Sequence, residues 1–137
     1  MTATPVYPQT LRNGVVQIVP ADASTLKTVF TPGASGSKLD HVLITSTDTS
    51  ARDIQFYLTI SAVDYLLGTI SIPANSGFTN SVSIVSLLDH TRMTGMLTDV
   101  NGNKFVILAA GSVLKAKMLT TITAAKVVNV ITQGGDF

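Results

Sequence analysis

The sequence predicts an all-β fold: an antiparallel β-sandwich, jelly-roll-like, preceded by an extended N-terminal arm. Three observations carry this. From Ile54 the apolar residues Ile54, Phe56, Leu58 and Ile60 alternate with Gln55, Tyr57, Thr59 and Ser61, the period of a half-buried strand. Turn residues recur at short spacing along the whole chain and divide it into nine or ten such segments. All eight acidic side chains are Asp, with no Glu, and Ser and Thr are abundant, a bias that suits strands and turns and disfavours exposed helices.

Taken in order, residues 1–11 hold Pro5, Val6, Tyr7 and Pro8 without apolar periodicity and read as an extended arm, able to lie on a neighbouring subunit. Residues 12–137 then form one sandwich domain. Gly14 to Val19 is a short strand closed by Pro20, and Leu26 to Thr31 is the next. The glycine-rich stretch Pro32 to Ser37 is a loop. In the strand Lys38 to Ser46 both alternate faces are partly apolar, so its orientation stays open.

Asp53 to Pro73 is a hairpin with its loop at Ala62-Val63-Asp64. Ile54, Phe56, Leu58 and Ile60 are expected to face the opposite sheet, and Gln55 and Tyr57 to lie on the outer face as solvent-facing or subunit-contact residues. Asn80 to Leu88 starts as a strand, and Leu87, Leu88, Arg92 and Met93 form a short helical turn over one end of the sandwich. Asn101-Gly102 is a strong hairpin signal between Asp99 and the strand Lys104 to Leu108. Val113 to Leu119 presents Lys115 and Lys117 to solvent, and Lys126 to Gln133 is the last strand.

Composition narrows the function classes. A chain of 137 residues buries a core without staples, and the absence of cysteine excludes disulfides and thiolate metal sites. The net charge of +1 supplies no field for nucleic acid or anionic membrane, and no apolar run is long enough to cross a bilayer. Synthesis in the cytoplasm is the expectation, since the N-terminus lacks the features of a secretion signal. Hydrophobic residues make up 45% and charged ones 12%, a balance that fits either burial of part of the surface against partner subunits or a soluble β domain with a Thr-rich surface.

The candidate chemistry is thin. Asp40-His41 and Asp89-His90 could orient an imidazole, with Ser86 nearby, but adjacent residues of a strand point to opposite faces and no nucleophile elbow is present. Asp99, Asn101 and Asn103 begin like a calcium loop, yet Lys104 and Ala110 stand where glycine and a bidentate acid belong. No phosphate loop or dinucleotide fingerprint occurs. The expectation is therefore a protein that is not an enzyme and carries no cofactor or metal.

The stretch from Asp99 through Lys104, Phe105 and Gly111 to Ala116, the C-terminal Gln133-Gly134-Gly135-Asp136-Phe137, and the Thr28 to Ser37 segment resemble small virion accessory proteins of tailed bacteriophages. The capsid decoration or cement proteins are the clearest of that group. The resemblance implies a rigid β body on the outer capsid surface, a homo-oligomer (dimer or trimer) that binds the major capsid protein and bridges its subunits. It also implies that Gly134 and Gly135 let the tail run beside a neighbouring backbone while Asp136 and Phe137 anchor it. The alternative is a binding module displayed on the virion or tail, for instance a carbohydrate-binding sandwich, for which Tyr7, Tyr57 and Tyr65 are the aromatics available.

Overall fold

A computed structural model gives the protein's structure and describes residues 7–137. In chain order the strands are β1 (Thr10–Ile18), β2 (Lys27–Phe30), β3 (Ser37–Ser46), β4 (Arg52–Ile60), β5 (Val63–Ile72), β6 (Val85–Ser86), β7 (Leu97–Thr98), β8 (Lys104–Leu108), β9 (Val113–Met118) and β10 (Val128–Asp136). They form two antiparallel sheets packed as a sandwich. One runs β1-β10-β3-β8-β7, with β6 also beside β3; the other runs β2-β9-β4-β5. Consecutive strands therefore pass repeatedly from one sheet to the other. Of the stretch 1–11 expected as an arm, residues 1–6 lie outside the described residues, and Thr10 and Leu11 pair with Asp136 and Gly135 as part of β1.

The core lies between the sheets. Ile18, Leu39, Val42, Ile44, Val128 and Val130 from the first meet Ile54, Phe56, Ile70, Ile72, Leu114, Ala116 and Met118 from the second, all buried. Burial of each large aliphatic or aromatic side chain contributes about 1.5–3 kcal/mol.

Three bulges explain where simple alternation fails. The β3–β10 register shifts between Gln133 and Gly134, leaving Asp40 as the extra residue on β3. Leu39 and Val42 both point inward as a result, which resolves the mixed faces of this strand, and Asp40 and His41 are both exposed. Between Thr28 and Phe30 a second shift buries Val29 and Phe30 together. A third, opposite Phe56 and Tyr57, leaves Leu67 extra on β5.

The hairpin loop is two residues, Ser61 and Ala62, with Ile60 paired to Val63, so Val63 and Asp64, expected in the loop, belong to β5. Both loop residues have positive φ, 51° and 64°, as a tight primed turn demands. Ile54 and Phe56 face the core and Leu58 packs at its margin, but Ile60 is exposed at the hairpin tip. The segment before β8 also departs from expectation. Only Val85–Ser86 is strand, and Leu87, Leu88 and Met93 reach the core from turns without a helix, with Arg92 in solvent.

Three loops at one end are joined by Asp48, whose side chain is 0% exposed. One carboxylate oxygen accepts from the Ser50 amide (3.0 Å) and the Thr123 hydroxyl (2.8 Å); the other accepts from Arg52 Nε (2.8 Å) and the Thr123 amide (2.9 Å). Its carbonyl accepts from the Asn75 amide at 2.8 Å. Burial alone would raise the pKa, but the bonds from Thr123, Ser50 and Arg52 outweigh it and hold the carboxyl well below the usual range.

Asp48→Ala strands the partly buried Arg52 and the Thr123 donors, and is expected to cost roughly 3 kcal/mol or more in urea unfolding. Because the folded-state pKa is depressed, Asp48 stabilises fully above its unfolded value near 3.8 and loses that contribution as pH falls below it. Wild type should therefore lose stability on acidification below about pH 4 more steeply than Asp48→Asn. At the hairpin, exchanging Ser61-Ala62 for Asn-Gly puts residues that tolerate the left-handed region at both positive-φ positions and should raise stability by about 1 kcal/mol in the same assay.

Candidate functional site

Of the residues expected to meet partners, Pro5 and Val6 lie outside the described residues. Tyr7 is exposed and Pro8 half-buried where the chain enters β1. The C-terminal residues are built into the domain. Gly134, Gly135 and Asp136 belong to β10, which is flanked by β1 and β3. A Cβ on Gly134 would overlap the Lys38 carbonyl and lie 2.9 Å from Leu39 Cα, so the bulge needs glycine there. One on Gly135 would lie 2.8 Å from the Pro8 side chain.

Asp136 accepts from Ser37 Oγ and from Arg12 at 3.2 Å, while the Phe137 amide donates to the Gly36 carbonyl at 3.1 Å. The Ser37 bond, against the opposing effect of desolvation and with help from Arg12, holds the Asp136 carboxyl below its ordinary value. The tail's first contacts are thus with its own chain. The close backbone is that of β3 at Gly134 and that of Thr10 in β1 at Gly135.

Gln55 and Tyr57 stand half-buried on the outer face of the second sheet. The Tyr57 hydroxyl donates to Gln55 Oε1 (2.9 Å), Gln55 Nε2 donates to Thr69 Oγ1 (3.2 Å), and Lys117 Nζ lies 5.3 Å from the Tyr57 ring centroid. Lys115 reaches Asp64 at 3.3 Å, and Asp64 also accepts from Thr59. This face is a polar network whose members satisfy one another.

A groove of about 660 Å³ crosses the outer face of the first sheet beside the Asp40 bulge, lined in part by Asn13, Asp40, His41, Asn103, Lys104 and Gln133. Among the described residues its lining holds the His41 imidazole but no Phe, Tyr or Trp. The bulge places Asp40 and His41 on the same exposed side, contrary to strict alternation, but Asp40 pairs with Lys38 at 2.9 Å. Asp89 accepts from Ser86 Oγ (2.9 Å) and His90 Nδ1 accepts from the Arg92 amide (3.2 Å). Asp99 turns its oxygens onto its own hairpin, accepting from the Asn101 and Asn103 amides at 2.8 and 2.9 Å. Among the described residues no group of three His, Cys, Asp or Glu is placed to hold a metal ion.

Exposed apolar side chains occur in the loops and on β7 and β8 (Phe78, Ile84, Leu97, Val100, Ile107 and Leu119), and they also gather on two edge strands of the sandwich, β1 and β5. On β1, Leu11 is 90% and Val15 70% exposed, and Val15 continues through Ile131 to Leu43 as a row across three strands. On β5, Val63, Tyr65 and Leu66 are 51%, 55% and 56% exposed. Lys27 Nζ donates to the Gln17 carbonyl at 2.8 Å, tying β1 to the β2 side, so the β1 and β5 surfaces stand on opposite edges. The signals for both were in the sequence: Val15-Val16 and Tyr65-Leu66-Leu67 put apolar residues on both faces of a strand, which one covering sheet cannot bury.

No protein family matches the chain, and no curated protein matches it.

Gly134→Ala forces a side chain against the β3 backbone and is expected to cost about 3 kcal/mol, read as a lower urea midpoint with an unchanged m-value.

Proposed function

We propose that the protein is a structural virion protein, a capsid decoration or cement protein that binds the outer capsid surface of a tailed bacteriophage and stabilises neighbouring capsid subunits. The observation that carries this reading is the pair of exposed apolar surfaces on opposite edges of one sandwich. A body with two such edges can bridge. Burial of Leu11 or Val15 stabilises a contact by only about 1.5–3 kcal/mol each, but joining two contacts in one rigid body raises the effective concentration of the second.

The strand order supports the finer fold reading. Leaving aside the two-residue strands β6 and β7, the sheets read β1-β10-β3-β8 and β2-β9-β4-β5, the interleaving expected when a long hairpin is wrapped into a jelly roll, an architecture used by viral capsid domains. Low charge favours contacts made by apolar area, so salt should loosen the protein from heads very little. In this reading the β1 row Val15, Ile131 and Leu43 meets the major capsid protein, and Tyr7 extends the same edge.

The test uses heads stripped of the protein and then supplied with purified chain. Add-back should restore resistance to heat and osmotic shock, and Leu11→Lys with Val15→Lys should bind heads at least about tenfold more weakly, equivalent to about 1.4 kcal/mol, while remaining folded. Stripped heads that keep their resistance but lose host adsorption would reject the cement reading and favour a displayed binding module.

A further inference from the structure

We infer that the free edge of β5 is a self-association surface, on which a second copy of this chain pairs antiparallel across a two-fold axis to join two four-stranded sheets into one. The inference rests on the assembly reading only in treating the apolar edges as contacts, and it concerns the purified protein without any capsid.

A strand edge offers a row of unpaired amides and carbonyls, and folded proteins blunt such edges with cations, proline or short length. The other edges here are blunted. Lys27 donates to the Gln17 carbonyl at 2.8 Å and Arg12 to the Thr31 carbonyl at 3.1 Å, so on that side each strand has a cation and two carbonyls are taken. β7, at the far end of the first sheet, has two residues.

β5 has ten residues and a strand partner on one side only. From Val63 to Ile72 it holds no Lys, Arg or Pro. Instead it exposes Val63, Tyr65, Leu66 and Leu67. Its backbone and its side chains ask for the same cover.

Charge selects the occupant. Asp64 is the strand's one charged side chain, and Lys115 of the same chain already neutralises it at 3.3 Å. An acidic or basic partner finds no counter-charge here, whereas a second copy presents an equally neutral edge. Antiparallel pairing about the middle of the strand keeps the two Asp64 residues towards opposite ends of the ladder; parallel pairing would set them side by side. A two-fold contact of this kind closes on itself and stops at the dimer. The bulge at Leu67 bends the strand, so the ladder is short on either side of the axis.

Sedimentation equilibrium of the full chain should give twice 14.4 kDa, and Leu66→Lys should give the monomer with unchanged far-ultraviolet circular dichroism, whereas Val15→Lys should stay dimeric. Since the chain has no cysteine, single variants Tyr65→Cys, Leu66→Cys and Leu67→Cys can cross-link only between copies, and at least one should form a disulfide dimer on mild oxidation even if Leu66→Lys fails to fold. A monomer at every concentration, a trimer, a dimer broken by Val15→Lys and spared by Leu66→Lys, or no cross-link at any of the three positions would each overturn the inference. None of these outcomes depends on binding to heads, so the capsid reading can fail while this one stands, and the reverse.

Discussion

A carboxylate shut away from water, Asp48, holds the loop end of the sandwich together. Hydrophobic burial brings two sheets face to face but is non-directional, so it does not fix how the loops at their ends are arranged. Asp48 supplies that direction. Its four accepted bonds and its carbonyl bind the 47–52 turn to Thr123 ahead of β10 and to Asn75 after β5. A buried charge is tolerated only when every lone pair is used, and here that requirement locks three loops to one another. At the other end Asp136, Ser37 and Arg12 join β10, β3 and β1 in the same way, with less burial.

Rigidity of this kind is what a bridging protein needs. With the loops and tail tied down by internal contacts, the sandwich holds its two apolar edges at a fixed separation, and the ordering that a second contact would otherwise require is already done. The edges differ in chemistry as well as position. On the β1 side cations cap the Gln17 and Thr31 carbonyls beside an apolar row, suited to packing against a different surface; the β5 side offers open backbone together with apolar side chains, suited to extending a sheet. That difference is why we propose two partners rather than one met twice.

Much of the fold was legible in the sequence because alternation is local. Ile54 and Phe56, the Asn101-Gly102 turn and the outward Lys115 and Lys117 all lie where period and turn chemistry put them. The illegible part depends on pairing between distant strands. Single extra residues at Val29, Asp40 and Leu67 reverse the parity of the residues after them, and each bulge is defined by a partner strand that local sequence does not name. The two C-terminal glycines read as room beside a neighbouring backbone, but which backbone is hidden for the same reason: Lys38 and Leu39 of β3 approach Gly134, and Pro8 and Thr10 approach Gly135. The β5 edge was missed because Asp64 resembled a loop residue, although its bond to Thr59 and its pairing with Lys115 make it part of the strand's outer face.

Hydrogen exchange of the protein free and bound to heads tests the central claim, that the two edges are contact surfaces for different partners, most directly. Amides of residues 63–67 should already be protected in the concentrated free protein, and those of residues 11–16 should slow only when heads are added. Fast exchange at both edges in both states, with new protection over the groove or the Gln55 and Tyr57 face instead, would contradict the claim.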